Sequence, residues 1–239
     1  MFAARYRGLL GGVLVFDMPV MFSELLGPND PDDPEFRPLG VDFDGETYYL
    51  TKNVERLIAR GASASWTPHN LASWLISRSI AWMIQNTRFR LFVGFADPEF
   101  DEVGVIYQSC NFYYLGRKFG AGDLYRVGPD RWASSRYFRS RSIYKRLARD
   151  NGIVWKKDWQ QGDNVIFDNM PQKIARKLKD LSKNYQNSCE RRKIAAKNKY
   201  AYVGGTSKKE TRRLRERFEE LNKTYPYPKR IAQLRSPIT

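Results

Sequence analysis

Residues 54–95 read VERLIARGASASWTPHNLASWLISRSIAWMIQNTRFRLFVGF, and the fold turns on how they are parsed. Residues 54–59 (VERLIA) read as a buried strand. Residues 60–66 (RGASASW) read as a small-residue loop, after which Thr67 and Pro68 supply an N-cap hydroxyl and an N1 proline. The helix so started runs over 68–85, with Leu71, Trp74, Leu75, Ile80, Trp82 and Met83 on a broad apolar face. Residues 90–95 (RLFVGF) are the next strand, ending at Ala96-Asp97-Pro98.

Working outward, residues 1–19 alternate into a β-hairpin, with residues 2–6 and 13–16 as its strands. The chain opens in mid-strand, so a preceding N-terminal strand or helices are expected to be missing from it. Residues 27–47 are an acidic, Pro-rich loop expected to be exposed. Residues 102–109 make a short helix, and 112–115 with 124–127 read as a final strand pair. The order β-β-β-α-β-α-β-β predicts an α/β (α+β) core over 1–130, a mixed central sheet with helices on both faces. Residues 131–239 read as a basic, mostly helical C-terminal extension, with helices over 139–150, 171–196 and 207–223. Residues 199–203 (KYAYV) read as a late strand returning to the core sheet.

The 239 residues carry 41 Lys and Arg against 26 Asp and Glu, a net charge of +15. Residues 1–116 hold 9 basic and 14 acidic side chains, whereas 117–239 hold 32 basic and 12 acidic. That asymmetry points to a polyanionic partner for the second half. Arg136, Arg139, Arg141, Lys145 and Arg146 form one basic segment, and Arg191, Arg192, Lys193 and Lys199 another, with Tyr200 placed to stack on bases. No apolar run reaches membrane-spanning length, so no membrane partner is expected. Two distant cysteines, Cys110 and Cys189, exclude a disulfide framework and fit a reducing cytoplasm. The single His69 excludes a site built from several His ligands.

Two stretches carry chemistry. The strand–loop–helix at 54–75 directs backbone N–H groups at a helix N-terminus, a geometry that accepts phosphate. Residues 104–112 (GVIYQSCNF) place Tyr107 five residues before Phe112. This spacing resembles the acyltransferase fold of the GNAT type, which implies a GNAT-like sheet and a tyrosine acting as general acid towards the leaving thiolate. Arg60-Gly61-Ala62-Ser63-Ala64-Ser65 stands where that superfamily has its glycine-rich acyl-CoA loop, with serines in place of glycines. Arg60, Gly61, Ser63, Ser65, Asn70 and Ser77 are therefore the candidate donor-binding residues.

In combination, residues 95–116, 70–77, 199–203 and the block at 225–230 (YPYPKR) resemble the Mom family of phage DNA-modifying proteins. The resemblance implies conversion of adenine N6 in duplex DNA to the carbamoylmethyl (glycinamide) form, which blocks host restriction enzymes. It also implies work in the host bacterial cytoplasm. Matching positions make Tyr107, Asp97, Gln108, Asn111 and Ser73 the catalytic candidates. Asp97 or Tyr107 would handle protons at the exocyclic amine, and Gln108 and Asn111 would read the flipped base or the donor amide. Glu102 stands where family members commonly have His. Adenine N6 is a poor nucleophile because its lone pair is delocalised, so a proton must leave during attack.

The product constrains the donor. An acetyl thioester lacks the glycinamide nitrogen, whereas a glycyl ester supplies both carbons and the nitrogen. Glycyl-tRNA is therefore the expected donor, with acetyl-CoA as its competitor. An iron-assisted route has no ligand cluster in the sequence, since Asp97, Glu99, Asp101 and Glu102 read as a solvated acidic turn. Two other functions stay open: a GNAT-type N-acetyltransferase of a protein or small amine, and a non-catalytic nucleic-acid binder on a decayed acyltransferase fold.

Overall fold

The computed structural model describes residues 1–119 and 122–229. It falls into two compact units, one built from the chain up to Phe119 and again from Ala196 onward, the other from the residues between. The unit boundary therefore lies about ten residues before the expected 130/131, and the C-terminal segment rejoins the core instead of extending it. The reason is the late strand anticipated at 199–203, which is central to the first unit's sheet.

In chain order the first unit contains β1 (Phe2–Tyr6), β2 (Leu9–Asp17), the small hairpin β3 (Val41–Phe43) and β4 (Glu46–Tyr48), and α1 (Thr51–Val54). There follow β5 (Glu55–Ser63), α2 (Leu71–Asn86), β6 (Leu91–Ala96), α3 (Val105–Gln108) and β7 (Tyr113–Phe119). The second unit holds β8 (Gly122–Gly128), β9 (Arg131–Ser134), α4 (Arg141–Asp150), β10 (Gln160–Gln161), β11 (Asn164–Val165), α5 (Gln172–Ser188) and β12 (Arg191–Ile194). The chain then returns with β13 (Lys197–Val203) and α6 (Lys208–Leu221).

The main sheet has six strands in the order β1-β2-β5-β6-β13-β7. Only β5 and β6 run parallel, joined by α2 as the crossover helix; the other neighbours are antiparallel. The expected mixed α/β sheet is thus the observed one. α2 covers one face because Leu71, Leu75, Ile76, Ile80, Met83 and Ile84 recur at helical spacing and bury against Leu14, Ile58 and Phe92. Trp74 and Trp82, expected on that apolar face, are about half exposed, because the buried stripe passes through their neighbours instead. On the other face Leu214 and Phe218 of α6 pack with Leu91, Val93 and Val203. Leu39 and Val41 join that cluster, as do Leu25 and Leu26 just before, so the acidic segment 27–47 read as an exposed loop is anchored to the core.

Arg90 ties these layers together. It is 1% exposed, its Nε meets Glu210 Oε1 of α6 at 2.9 Å, and its NH1 donates to the carbonyls of Ile84, Thr87 and Phe89. Glu210 also accepts from the Thr206 amide and hydroxyl, and Ser207 caps α6 by accepting the Glu210 N–H.

Other expectations change where pairing overrides local propensity. Residues 60–63 are strand, not loop, because they pair with Gly12–Val15 of β2. α2 begins at Leu71 rather than Pro68; Thr67 donates its hydroxyl to Ala64 O and does not cap the helix. β7 and β8 do not pair with each other, since β8 sits between β12 and β9 in a separate three-stranded sheet. The helix expected over 171–196 stops at Ser188, and Arg191–Ile194 pair with β8.

Candidate functional site

β5 and β6 are in register only from Glu55–Leu57 to Leu91–Val93. Beyond that point β5 continues with β2 alone, through Ser63, while β6 continues with β13, through Ala96. The strands part, and an open groove of about 830 Å³ fills the gap. Its walls come from β2 and β5 (Leu14, Ile58, Arg60, Gly61, Ser63), from α2 (Leu75, Ile76) and from residues 102–107. The β5 edge facing the groove has lost its strand partner, so its backbone polar groups are available to an extended ligand.

Tyr107 lines this groove, buried among Phe112 and Tyr200 with ring centroids 5.2 Å away in each case. Burial pushes its hydroxyl up to about 12, reinforced by the nearby Glu102 carboxylate. At neutral pH the phenol is therefore fully protonated: it is a proton donor and not a base. Among the described residues no hydrogen-bond partner holds that hydroxyl. Gly94 makes room for the ring, because a Cβ there would lie 2.6 Å from Tyr107 Cε1 and Cζ. Gly94→Ala is expected to displace the phenol and to cost about 1–3 kcal/mol by overpacking. Thermal denaturation and a modification assay on the same variant would show the shift in Tm and a fall of about tenfold or more in activity.

A hydrogen-bonded clamp fixes the segment before Tyr107. Tyr200 donates its hydroxyl to Val103 O at 2.5 Å, and Gln108 Nε2 donates to the same carbonyl at 2.8 Å. Asn198 Nδ2 reaches Glu102 O, and Tyr114 donates to Asn198 Oδ1 at 2.9 Å. Gly104, at φ +74°, lies against the Tyr200 ring where no side chain would fit. The Tyr225–Pro228 segment closes over this edge: the Tyr225 N–H donates to Tyr114 O, Tyr227 donates its hydroxyl to Phe112 O, and Gln108 Nε2 approaches Pro228 O. Arg230, the last residue of the 225–230 block, lies outside the described residues.

Of the catalytic candidates, only Tyr107 lines the groove. Gln108 holds the loop rather than facing the groove. Asp97 caps a short 3₁₀ turn through the Glu99 N–H and pairs with Lys197 Nζ at 2.8 Å. Asn111 is exposed in a left-handed turn at φ +57°. Ser73 bonds back to Asn70 O within its own helix. Of the donor-binding candidates, Arg60, Gly61 and Ser63 line the groove as strand residues; Ser65, Asn70 and Ser77 do not, and Ser77 instead reaches Cys110 Sγ at 3.4 Å. Glu102, which stands where family members commonly have His and was not among the catalytic candidates, lines the groove with Tyr107 while its Oε2 accepts the Asp97 N–H. Its adjacency to Tyr107 depends on the turn at 97–104, which composition alone renders as a solvated acidic run.

The expected nucleic-acid residues divide. Arg136, Arg139, Lys145, Arg191, Arg192 and Lys193 are exposed in the second unit, although Arg191 pairs with Asp123 and Arg192 lies over Trp132. Arg141 pairs with Asp163, and Arg146 sits over the Tyr185 ring. Lys199 and Tyr200 are buried, a correction to their expected surface role: β13 is an interior strand covered on both faces. Among the described residues no helix is long and apolar enough to cross a membrane, and no three His, Cys, Asp or Glu side chains are grouped to hold a metal ion. Cys110 and Cys189 are both free thiols.

No curated protein matches the chain. The family model of the Mom protein family matches residues 58–229, a span running from β5 through the groove and the second unit to the Tyr225–Pro228 segment. The chain therefore belongs to the Mom family of phage DNA-modification proteins.

Proposed function

We propose that the chain is a GNAT-like transferase that carries an acyl or glycyl unit to the N6 amine of adenine in duplex DNA, yielding the carbamoylmethyl base and protecting the DNA from host restriction. The observation that carries this reading is a buried, protonated phenol lining a groove opened by two parting strands. An activated donor would lie along the free β5 edge beside Arg60, Gly61 and Ser63. The adenine would leave the stack to present its amine.

The residues divide the proton work. Tyr107 gives its proton to the departing oxygen or sulfur of the donor. Glu102, the carboxylate lining the groove, takes the proton that N6 loses as the new N–C bond forms. With a glycyl ester, N6 displaces the ester oxygen to give a glycyl amide. The glycyl amine then attacks ring C6, the C6–N6 bond breaks, and the former N6 becomes the terminal amide nitrogen. No redox partner is needed, and atoms balance with release of the free alcohol, which for glycyl-tRNA is the tRNA terminus. Acetyl-CoA, whose amide-bearing arm would also suit the unpaired β5 edge, would instead leave an N6-acetyl base and free thiol, since it brings no nitrogen for the glycinamide. The reaction would take place in the host cytoplasm.

Feeding carbon- and nitrogen-labelled glycine to bacteria expressing the chain separates the donors. The glycyl route predicts two extra labelled carbons and one extra labelled nitrogen in the modified nucleoside. The excess is read against unmodified deoxyadenosine of the same hydrolysate, because purine synthesis also consumes glycine. Modified nucleoside without that excess would overturn the glycyl donor.

A further inference from the structure

The residues between Phe119 and Ala196 carry 18 Lys and Arg against 8 Asp and Glu, and the cations are not evenly used. Arg126, Arg141, Arg149 and Arg191 are each paired with an acidic side chain of the same unit. α5 differs. Its inner side, Ala175, Leu178 and Ser182, is buried, with Ser182 donating its hydroxyl to Phe138 O at 2.6 Å. Gln172, Lys173, Arg176, Lys177, Asp180, Lys183, Asn184 and Asn187 are all exposed. They span about 140° of the helix surface at 100° per residue, with no apolar side chain among them. Among the described residues, none of Lys173, Arg176, Lys177 and Lys183 forms an ion pair.

We infer that the exposed face of α5 is the surface that reads duplex DNA, lying in the major groove and setting which adenines are presented for modification. This rests on the reading that the chain modifies adenine in duplex DNA. The side-chain types match what base edges in that groove require. Arginine forks onto guanine O6 and N7, asparagine and glutamine onto adenine N6 and N7, and a carboxylate accepts from cytosine N4. Arg176, Asn187 and Asp180 supply that set near the middle of the face, with Asn184 towards one edge. Lys173, Lys177 and Lys183 supply the phosphate contacts that fix register without carrying sequence. At 17 residues α5 is about 25 Å long, more than the width of the groove it would enter. The face holds four cations against the single Asp180, with amides interleaved.

The test uses the full chain and two variants, Lys173→Ala/Arg176→Ala/Lys177→Ala and Asn184→Ala/Asn187→Ala, both confined to exposed positions. Thermal denaturation first confirms an unchanged fold. Binding to a labelled DNA duplex is then titrated over a range of salt, with bulk tRNA as the comparison ligand. The triple variant is expected to lose about tenfold or more in duplex affinity and to flatten the log–log salt slope by about 2–3. Its tRNA affinity should be unchanged. The double variant should keep the slope while broadening the sequence context of the modified adenines. Wild-type duplex affinity and slope in the triple variant would overturn the inference, leaving the proposed reaction standing if DNA is still modified. Loss of tRNA binding with duplex binding intact would also overturn it, assigning the face to RNA. Duplex binding through α5 by a wild-type chain that modifies no DNA would sustain the surface and sink the proposed reaction.

Discussion

Tyr107→Phe is expected to lower adenine modification by about 10²–10⁴-fold, the range for losing a positioned general acid. The substitution removes one oxygen from the groove wall and leaves the ring packing against Phe112 and Tyr200 in place. Since no described residue bonds that hydroxyl, the change in stability should stay within about 1 kcal/mol. Activity and fold are thereby separated, which Gly94→Ala cannot do. The pH dependence carries a second mark of the same group. Burial holds the phenol up to about 12, so Tyr107 stays protonated and contributes no limb to the rate between about pH 6 and 9. A limb in that interval belongs to another group.

The largest stability effect is expected at Glu210. Removing it by Glu210→Ala leaves the Arg90 guanidinium buried with no carboxylate partner, an arrangement that typically costs about 3–5 kcal/mol. It also releases the Thr206 amide and hydroxyl at the start of α6. Three layers loosen together: the end of α2, the start of β6 and α6. The pH sign is fixed by the carboxyl's shift. Burial alone would raise its pKa, but hydrogen bonds from Arg90 and Thr206 outweigh burial and bring it below the ordinary value. A depressed carboxyl stabilises the fold above its unfolded pKa, and that stability is lost as pH falls through the folded one. Urea denaturation at neutral and acid pH should show the gap between wild type and Glu210→Ala narrowing in acid. A variant as stable as wild type at neutral pH would remove Arg90–Glu210 from its structural role.

What the residues reveal by themselves follows from how local their determinants are. The opening hairpin, the helix ending in the 80s and the return strand at 199–203 are written in period-2 or helical spacing, and each appears in the fold. Residues 60–63 carry the small, polar composition of a loop, yet β2 pairs with them at long range, and only that pairing makes them strand. Tyr200 shows the converse. An aromatic following Lys197 and Lys199 looks like a stacking platform, but its place in an interior strand buries it, and its hydroxyl serves the clamp on Val103. At the site, Tyr107 was named a catalytic candidate through the resemblance carried by residues 104–112, and the fold sets it on the groove wall. Glu102 and Gly94 were not, since their closeness to Tyr107 is created by the sheet. The basic character of the second half was plain, whereas the uninterrupted polar face of α5 emerges only when its buried side is known.

The most direct measurement is nucleoside mass spectrometry of DNA from bacteria expressing the wild-type chain beside the Tyr107→Phe variant. The account predicts a deoxyadenosine heavier by the carbamoylmethyl increment in the wild type, and its near absence in the variant at equal levels of folded protein. Unmodified DNA with the wild-type chain folded and abundant, or equal modification in both, would contradict it.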